Sequence, residues 1–353
     1  MARKPRTVER TPLEDGFTFP AEWTPHRACY MAWPSRADTW KGRLDEARGA
    51  YAHVAHAIQR FEPVIMLVPP DAVAGARRQL GKEIEIQPTD LDDSWIRDNG
   101  PIFLKAGDGR LAALKLQFNG WGGRYPPYDK DATAPEVIAQ RLSLPLYRAP
   151  IVAEGGALAV DGEGTVVTTE SCLLNPNRNP GRTKAEMESA LKSYLGVRKV
   201  IWLRRGMHAT QIDGHVDGVA AFVRPGAILV ASAPDPSDPN HQPFRENRER
   251  LQSETDGRGR PIEVIDFPSP APHRIDGHLL SATFMNFYIA NGGIVAPTFG
   301  DPADADALDG LRSLFPGREV VGVRCEDIAI GGGDVHCITQ QLPMGESASS
   351  RDS

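Results

Sequence analysis

Apolar and polar positions along the chain repeat one order: two short apolar runs around a tight turn, an amphipathic stretch, and a third apolar run. Runs of this kind that flank Gly- or Pro-containing turns are typical of β-hairpins. The predicted strand pairs are Ile102–Ala106 with Leu111–Phe118, Ala157–Val160 with Thr165–Thr169, Val219–Arg224 with Ala227–Ser232, and Phe287–Ala290 with Ile294–Pro297. Each pair is followed by a helix and a third strand, so the pattern predicts four ββαβ units.

The predicted helices lie between each hairpin and its third strand. The clearest one begins at Thr183, which forms a capping-box pattern with Glu186, and ends before Gly196. The other helices are predicted around Ala134–Leu142, Arg245–Glu254 and Asp304–Phe315, and the third strands at Pro145–Arg148, Lys199–Leu203, Ile262–Phe267 and Glu319–Val323.

A fifth unit can be assembled only from the two ends of the chain. Val335–Gln341 and Ala28–Trp33 would supply its first strands, Ala47–Phe61 its helix and Pro63–Val68 its last strand. A repeat whose last copy takes residues from both termini indicates a closed ring. The alternative is one open mixed α/β sheet, but no linker interrupts the repeats. We therefore expect a single domain at 16–343, an N-terminal extension at 1–15 and a disordered tail at 344–353.

Composition narrows the range of partners. The chain has 353 residues, 40 Lys+Arg against 46 Asp+Glu, a net charge of -6 and 41% hydrophobic residues. A mildly acidic surface without a basic block argues against nucleic acid as a partner. The charged start and the lack of a long apolar run predict neither a secretory signal nor a membrane span, so we expect a cytoplasmic protein. Four separated cysteines predict neither a disulfide framework nor a metal site.

In a ring, the segments that precede each hairpin meet near the axis. These segments are Trp95–Asp98, Glu154–Gly156, Gly214–Asp217 and Gly331–Cys337. Together they offer a cysteine, histidine and several carboxylates, which is a set typical of nucleophilic catalysis. Three glycines before Cys337 allow close approach of a ligand to the backbone.

Carboxylates beside a thiol raise its pKa and so disfavour the reactive thiolate. Their presence near Cys337 therefore indicates a cationic substrate. A guanidinium presents donors in a planar fork that carboxylates match, and its charge would favour the thiolate. Three alternatives stay open at this point: a buried strand cysteine after a flexible turn, a cysteine protease, and a catalytically silent ring that binds cationic amines.

Several motifs together resemble one family. They are Trp95–Pro101 (WIRDNGP), Phe118–Gly123 (FNGWGG), Glu154–Gly156, Thr169–Pro180 (TESCLLNPNRNP), Gly214–Asp217 (GHVD), Asn291–Gly293 and Gly331–Gln341 (GGGDVHCITQQ). From about Gly16 to Pro343 the chain is similar to the agmatine deiminases, of the bacterial-type peptidylarginine deiminase family within the guanidino-group-modifying enzymes. The resemblance implies an α/β fold, a five-bladed α/β propeller of ββαβ repeats with pseudo-fivefold symmetry.

The resemblance also implies roles for individual residues. Cys337 would be the nucleophile, His215 the proton donor and later the base that activates water, and Glu154 the residue that orients His215. Asp98 and Asp217 would hold the guanidinium, and Trp95 and Trp121 would contact the substrate. No cofactor or metal is implied, and a homo-oligomer, at least a dimer, is expected. Two positions depart from the family pattern: Gly218 replaces an acidic residue, and Asp334 replaces an asparagine.

The function expected from this resemblance is hydrolytic deimination of agmatine to N-carbamoylputrescine and ammonia, through a covalent amidino-cysteine intermediate, as a step toward putrescine. The alternative is the same chemistry on peptidyl arginine, free arginine or another guanidine. The expected partner is thus a small cationic guanidine, with no nucleic acid and no membrane.

Overall fold

A computed structural model describes residues 8–208 and 211–346. Its strands are β1 (Phe17–Thr18), β2 (His26–Ala32), β3 (Val64–Val68), β4 (Glu85–Pro88), β5 (Ile102–Ala106), β6 (Leu111–Gln117), β7 (Leu146–Val152), β8 (Ala159–Val160), β9 (Thr165–Thr169), β10 (Lys199–Leu203), β11 (Ala220–Arg224), β12 (Ala227–Ser232), β13 (Glu263–Pro268), β14 (Arg274–Ile275), β15 (His278–Leu279), β16 (Tyr288–Ala290), β17 (Gly293–Thr298), β18 (Glu319–Arg324) and β19 (Thr339–Pro343). The helices are α1 (Leu44–Gln59), α2 (Val73–Leu80), α3 (Ile96–Asn99), α4 (Gly120–Gly123), α5 (Ala134–Arg141), α6 (Glu170–Leu173), α7 (Lys184–Leu195), α8 (His241–Gln252), α9 (Asp304–Leu314) and α10 (Glu326–Ala329).

The strands form a mixed α/β fold in which one sheet pattern recurs. In each of the sheets β5-β6-β7, β8-β9-β10, β11-β12-β13 and β16-β17-β18, an antiparallel pair is joined by a parallel third strand. A helix precedes that third strand each time, because parallel neighbours need a crossover connection. The four predicted ββαβ units are therefore confirmed as local structures.

The two ends of the chain share a sheet. β19 pairs antiparallel with β2, with Thr339 opposite Met31, and β2 pairs parallel with β3. The predicted joining of the termini is confirmed, but its first strand begins at Thr339 rather than at Val335. Residues 335–338 form a turn instead, in which the backbone N–H of His336 and of Cys337 donate to Asn286. This turn places Cys337 outside the strand.

Local signals located most helices accurately. Thr183 and Glu186 form both hydrogen bonds of the capping box at the start of α7, and Gly196 ends it with a φ of 67°. The prediction for α8 was wrong at its start: the helix begins at His241 rather than Arg245, with Pro243 in its first turn, where proline is tolerated. Helix α2 and strand β4 were not predicted; β4 adds a fourth strand to the sheet of β19, β2 and β3.

The apolar faces of the units pack into three clusters of buried side chains. The largest cluster joins α1 and β3 with β12, β17 and β18, and reaches Trp95 and Cys337 at the ends of their segments. Residues 8–15 also pack onto this framework, since Val8 donates to Leu146 and Tyr147 donates to Asp15. No helix among the described residues combines the length and the apolar character that a membrane crossing requires.

Candidate active site

The thiol of Cys337 is buried at the end of the glycine-rich segment. Its Sγ lies 3.6 Å from Oδ2 of Asp217, and its backbone N–H donates to Oδ1 of Asn286 at 3.1 Å. Burial raises the pKa of Cys337 well above its usual value, and the charges of Asp217 and Asp98 raise it further. The backbone N–H of Asp334 acts in the opposite direction. The thiol is thus protonated while no cation is bound.

Two aspartates face this thiol from different units. Oδ2 of Asp98 accepts a hydrogen bond from Nε1 of Trp121 at 2.9 Å, and Oδ1 accepts one from the N–H of Gly156 at 3.0 Å. Burial raises the pKa of Asp98, with help from Asp217 and Glu154. Each carboxylate oxygen has a second lone pair that can accept from a ligand.

His215 lies between two carboxylates. Its Nδ1 is 3.7 Å from Asp98 and its Nε2 is 3.4 Å from Oε2 of Glu154, both too long or poorly aligned for hydrogen bonds. Burial alone would lower the pKa of His215, but Asp98, Cys172 and Glu154 raise it well above 6.5. The imidazole is therefore cationic and can donate a proton.

Glu154 is fixed by an arginine from a later loop. Nε of Arg178 donates to its Oε1 at 2.7 Å, and neither side chain is exposed. Burial opposes ionisation, but His215 and Arg178 lower the pKa of Glu154 below its usual value. Because Oε1 is bound to Arg178, Oε2 is the oxygen that faces His215, so Arg178 orients the carboxylate of Glu154.

Two glycines allow the segments to meet. A Cβ on Gly156 would lie within 2.9 Å of Asp98, His215 and Asp217 side-chain atoms. A Cβ on Gly333 would lie 2.7 Å from Sγ of Cys337. Both distances are shorter than real Cβ contacts, so any side chain there would push the polar groups apart.

The two predicted tryptophans line the approach to the thiol. Trp95 stacks on Trp40 with ring centroids 5.5 Å apart. Trp121 has a φ of 54°, a left-handed conformation that costs an L-residue about 1–2 kcal/mol. Its bond to Asp98 offsets that cost and ties the indole to the guanidinium-binding candidate.

Cys337 lies where two cavities meet. One, of about 400 Å³, is lined by Thr39, Asp93, Trp95, Asp98, Trp121, Tyr125, Gln211, Ile212, Gly331, Gly332 and Cys337. The other, of about 310 Å³, adds His215, Asp217, Asn286 and Asp334 to the walls. The larger cavity, here called the cleft, is open to solvent and combines aromatic rings with carboxylates, which are groups that can bind a small organic cation. All seven residues singled out from the sequence therefore lie in or directly behind these walls.

Several groups at this site were not predicted from the sequence. His336 bridges Asp217 and Glu22, with 2.9 Å from each ring nitrogen to a carboxylate oxygen. Burial opposes charge on His336, yet Glu22 and Asp217 raise its pKa. In return His336 lowers the pKa of Asp217 despite its burial. His336 stands beside Cys337 in the GGGDVHC motif, but nothing in its spacing indicates that it holds Asp217.

The two departures from the family pattern occupy different surroundings. Gly218 has open space where a Cβ would be, so a larger residue would extend into the second cavity. Asp334 is fully buried; one oxygen accepts from Thr283 and the other has no partner among the described residues. Burial raises the pKa of Asp334 well above its usual value.

One group of side chains has the donor types of a metal site. Atoms of Glu154, Cys172 and His215 lie within 4.8 Å of one another. Metal ligation needs a thiolate and a neutral imidazole. Burial and Glu154 raise the pKa of Cys172, and the pKa of His215 is raised as well, so both groups carry protons that a metal would have to displace.

Comparisons with known proteins agree with this arrangement. The family model of the Porphyromonas-type peptidyl-arginine deiminases matches residues 18–343. An agmatine deiminase of Medicago truncatula is 41% identical, over 95% of this chain and 99% of its own. The structure of an agmatine deiminase of Enterococcus faecalis matches with a TM-score of 0.93 and 36% identity, over 96% of this chain and 99% of that one. That of a C. jejuni agmatine deiminase matches with a TM-score of 0.85 and 26% identity, over 93% and 97%. The chain is an enzyme that belongs to the Porphyromonas-type peptidyl-arginine deiminase family.

Proposed function

We propose that this enzyme hydrolyses the guanidinium group of agmatine to give N-carbamoylputrescine and ammonia. The observation that carries the proposal is the buried Cys337 thiol, which faces Asp217 and Asp98 and lies beside the His215–Glu154 pair. Relatives from plants and bacteria that are named agmatine deiminases, and that match over nearly their whole length, support the same substrate.

The first half of the reaction needs a thiolate. A guanidinium that binds to Asp98 and Asp217 neutralises the charges that raise the pKa of Cys337, so binding promotes release of the thiol proton to solvent. The thiolate attacks the guanidinium carbon, and protonated His215 donates its proton to the departing nitrogen. Ammonia leaves, and an amidino-thioether on Cys337 remains.

The second half consumes water. Neutral His215 takes a proton from a water molecule, whose oxygen attacks the amidino carbon. The carbon–sulfur bond then breaks, the thiol is restored, and the ureido product leaves. Glu154, held by Arg178, stabilises the imidazolium that forms in this half-reaction.

The lining of the cleft favours agmatine over free arginine. It contains Asp93 and Asp98 but neither Lys nor Arg among the described residues. Arg97 lies elsewhere, bonded to Glu22 and Gln341, and Arg36 is held by Asp38 and by main-chain carbonyls. The α-carboxylate of arginine would thus enter an acidic site without a cation, which is costly.

One assay tests the substrate assignment. Ureido product from agmatine, arginine and an arginyl peptide is measured under identical conditions, together with the mass of acid-quenched enzyme. We expect kcat/KM for agmatine to exceed that for arginine by at least about 100-fold, with an amidino adduct on Cys337. Comparable rates on arginine, or faster rates on the peptide, would replace agmatine with that substrate.

We also propose that the five ββαβ units close into a five-bladed propeller that spans 16–343 as one domain. The shared strand order of the five sheets and the pairing of β19 with β2 support it. We further propose that the enzyme is cytoplasmic, that it forms at least a dimer, and that its product is used in putrescine synthesis. Light scattering of the purified enzyme tests the oligomer, since a monomer would contradict it.

A further inference from the structure

The cleft contains a second carboxylate that the proposed reaction does not use. Asp93 is 2% exposed, and its hydrogen-bond partners share no residue with those of Cys337 or Asp98. Oδ2 accepts from the hydroxyl of Thr39 at 2.9 Å, and Oδ1 accepts from the N–H of Ser94 at 2.8 Å. Asp93 thus belongs to a part of the cleft wall distinct from the reacting end.

No cation neutralises Asp93 within the described part of the chain. The charge of Arg36 acts on it, but only from beyond ion-pair distance, because that guanidinium is engaged by Asp38 and by the carbonyls of Tyr125 and Pro127. Behind Asp93 lies a second buried carboxylate, Asp131, which accepts the backbone N–H of Asp93.

Buried carboxylates without a cation are unfavourable in the ionised form. Burial raises the pKa of Asp93 to about 6 and that of Asp131 to about 7, although hydrogen bonds from nearby backbone N–H groups oppose both shifts. A positive charge in the cleft would remove this cost at Asp93. The site is therefore prepared for a cation that the protein itself does not supply.

The cleft that contains both carboxylates also has walls that suit an alkyl chain. Trp95, Trp121 and Tyr125 line the cleft with their rings, and Trp121 packs edge-on against Tyr125 with centroids 5.6 Å apart. Aromatic faces contact methylene groups without requiring hydrogen bonds. A ligand that joins two cations by an apolar chain matches this set of groups, with one cation at Asp98, methylenes against the rings and the second cation at Asp93.

We infer that Asp93 is the counter-ion for the ammonium end of the substrate, and so determines selection of guanidines that carry a second positive charge. This inference rests on the proposed deimination. It assigns Asp93 to binding and specificity, while Cys337, His215 and Asp98 act at the guanidinium.

The test compares agmatine with butylguanidine, which has the same chain but no ammonium group. In the wild-type enzyme we expect a preference for agmatine of about 100-fold in kcat/KM. Asp93→Asn should lower kcat/KM for agmatine about 30-fold or more, chiefly through KM, and change that for butylguanidine less than about threefold. Asp92→Asn is the matched control, because Asp92 precedes Asp93 in the sequence but does not line the cleft. This variant should leave kcat/KM unchanged for both substrates.

Each other outcome rejects the inference for a definite reason. Equal losses on both substrates would make Asp93 a structural residue, and no loss on either would place the ammonium elsewhere. If the wild-type enzyme turns over neither guanidine, it is the proposed function that fails instead.

A measurement on the wild-type enzyme keeps the inference testable if Asp93→Asn does not fold. The titratable and charged groups that face Asp93 are Arg36, Asp38, Tyr51, Tyr125 and Asp131. As the pH falls through about 6, protonation should raise KM for agmatine relative to that for butylguanidine. The ratio of the two KM values removes the effect of groups common to both substrates, and a ratio independent of pH between 5 and 8 would refute the role of Asp93.

Discussion

The pair between Glu154 and Arg178 offers a way to separate stability from catalysis. One oxygen of Glu154 binds Arg178 at 2.7 Å, while the other lies 3.4 Å from Nε2 of His215. Glu154→Gln removes the negative charge that faces both Arg178 and His215. The two consequences have different physical origins, so a second substitution can restore one without the other.

The loss of stability comes from the arginine. Breaking a fully buried ion pair by removing one partner costs about 3–5 kcal/mol, because the remaining charge is uncompensated. Arg178 keeps its 2.7 Å contact with Asp213, so we expect the free energy of unfolding of Glu154→Gln to fall by about 3 kcal/mol. The loss of activity comes from His215, whose pKa Glu154 raises; without it, kcat should fall about 100-fold or more.

Urea unfolding followed by tryptophan fluorescence, together with ureido-product assays, measures both effects. Adding Arg178→Met to Glu154→Gln removes the cation that has lost one of its two buried partners, and Asp213 keeps its ion pair with Arg124, so most of the lost stability should return while kcat stays low. Glu170→Gln is a control for the same change in an exposed pair, with Lys184, and should cost no more than about 1 kcal/mol. Wild-type kcat in Glu154→Gln, or no recovery of stability in the double variant, would refute this reasoning.

Three further predictions test the charges around the thiol. Cys337→Ala should abolish turnover and the amidino adduct while leaving the unfolding midpoint nearly unchanged. The control is Cys325→Ala, which changes a buried cysteine outside the cleft and should leave the enzyme active. Turnover by Cys337→Ala would exclude the covalent route. Asp217→Asn should lower the pKa of the thiol and speed its alkylation by iodoacetamide at pH 8, yet reduce kcat/KM by about 10-fold or more, and a parallel change of both rates would contradict it. Burial raises the pKa of Glu22, but His336 and Arg97 outweigh burial and lower that pKa to about 2. Ionised Glu22 therefore adds about 3 kcal/mol to the free energy of unfolding above pH 5, and this contribution is lost as the pH falls toward 2. Glu22→Gln should therefore unfold more easily than wild type at pH 7 but not near pH 2, and a difference independent of pH would refute the linkage.

The sequence predicted those parts of the fold that depend on local signals. Alternating apolar runs around glycine turns located the hairpins, and the capping box at Thr183 located the start of α7. The start of β19 could not be predicted in this way, because it depends on Asn286, about fifty residues earlier, which binds the backbone of Cys337. Val335 and Ile338 have the composition of a strand, but a distant amide holds them in a turn.

Repeat position indicated which segments meet at the site, but not which side chains support them. Arg178, Glu22 and Asn286 come from loops with no periodic signal, and each acts through contacts with residues distant in the sequence. Asp93 lies two residues before the Trp95–Asp98 segment, yet only the shape of the cleft distinguishes it from its neighbour Asp92.

The two aspartates beside the thiol of Cys337 can be understood only together with a cationic substrate. Without a ligand, burial and two aspartates hold Cys337 as a neutral thiol, which is a weak nucleophile, while His215 is already protonated. In the proposed reaction, a guanidinium between Asp98 and Asp217 neutralises the charges that raise the pKa of the thiol, so the thiolate becomes more favourable when the substrate is bound. A neutral ligand would leave the thiol protonated. If Cys337 is the nucleophile as proposed, selection for a cationic guanidine follows from the energetics of the thiol itself, in addition to any contact that recognises the rest of the substrate.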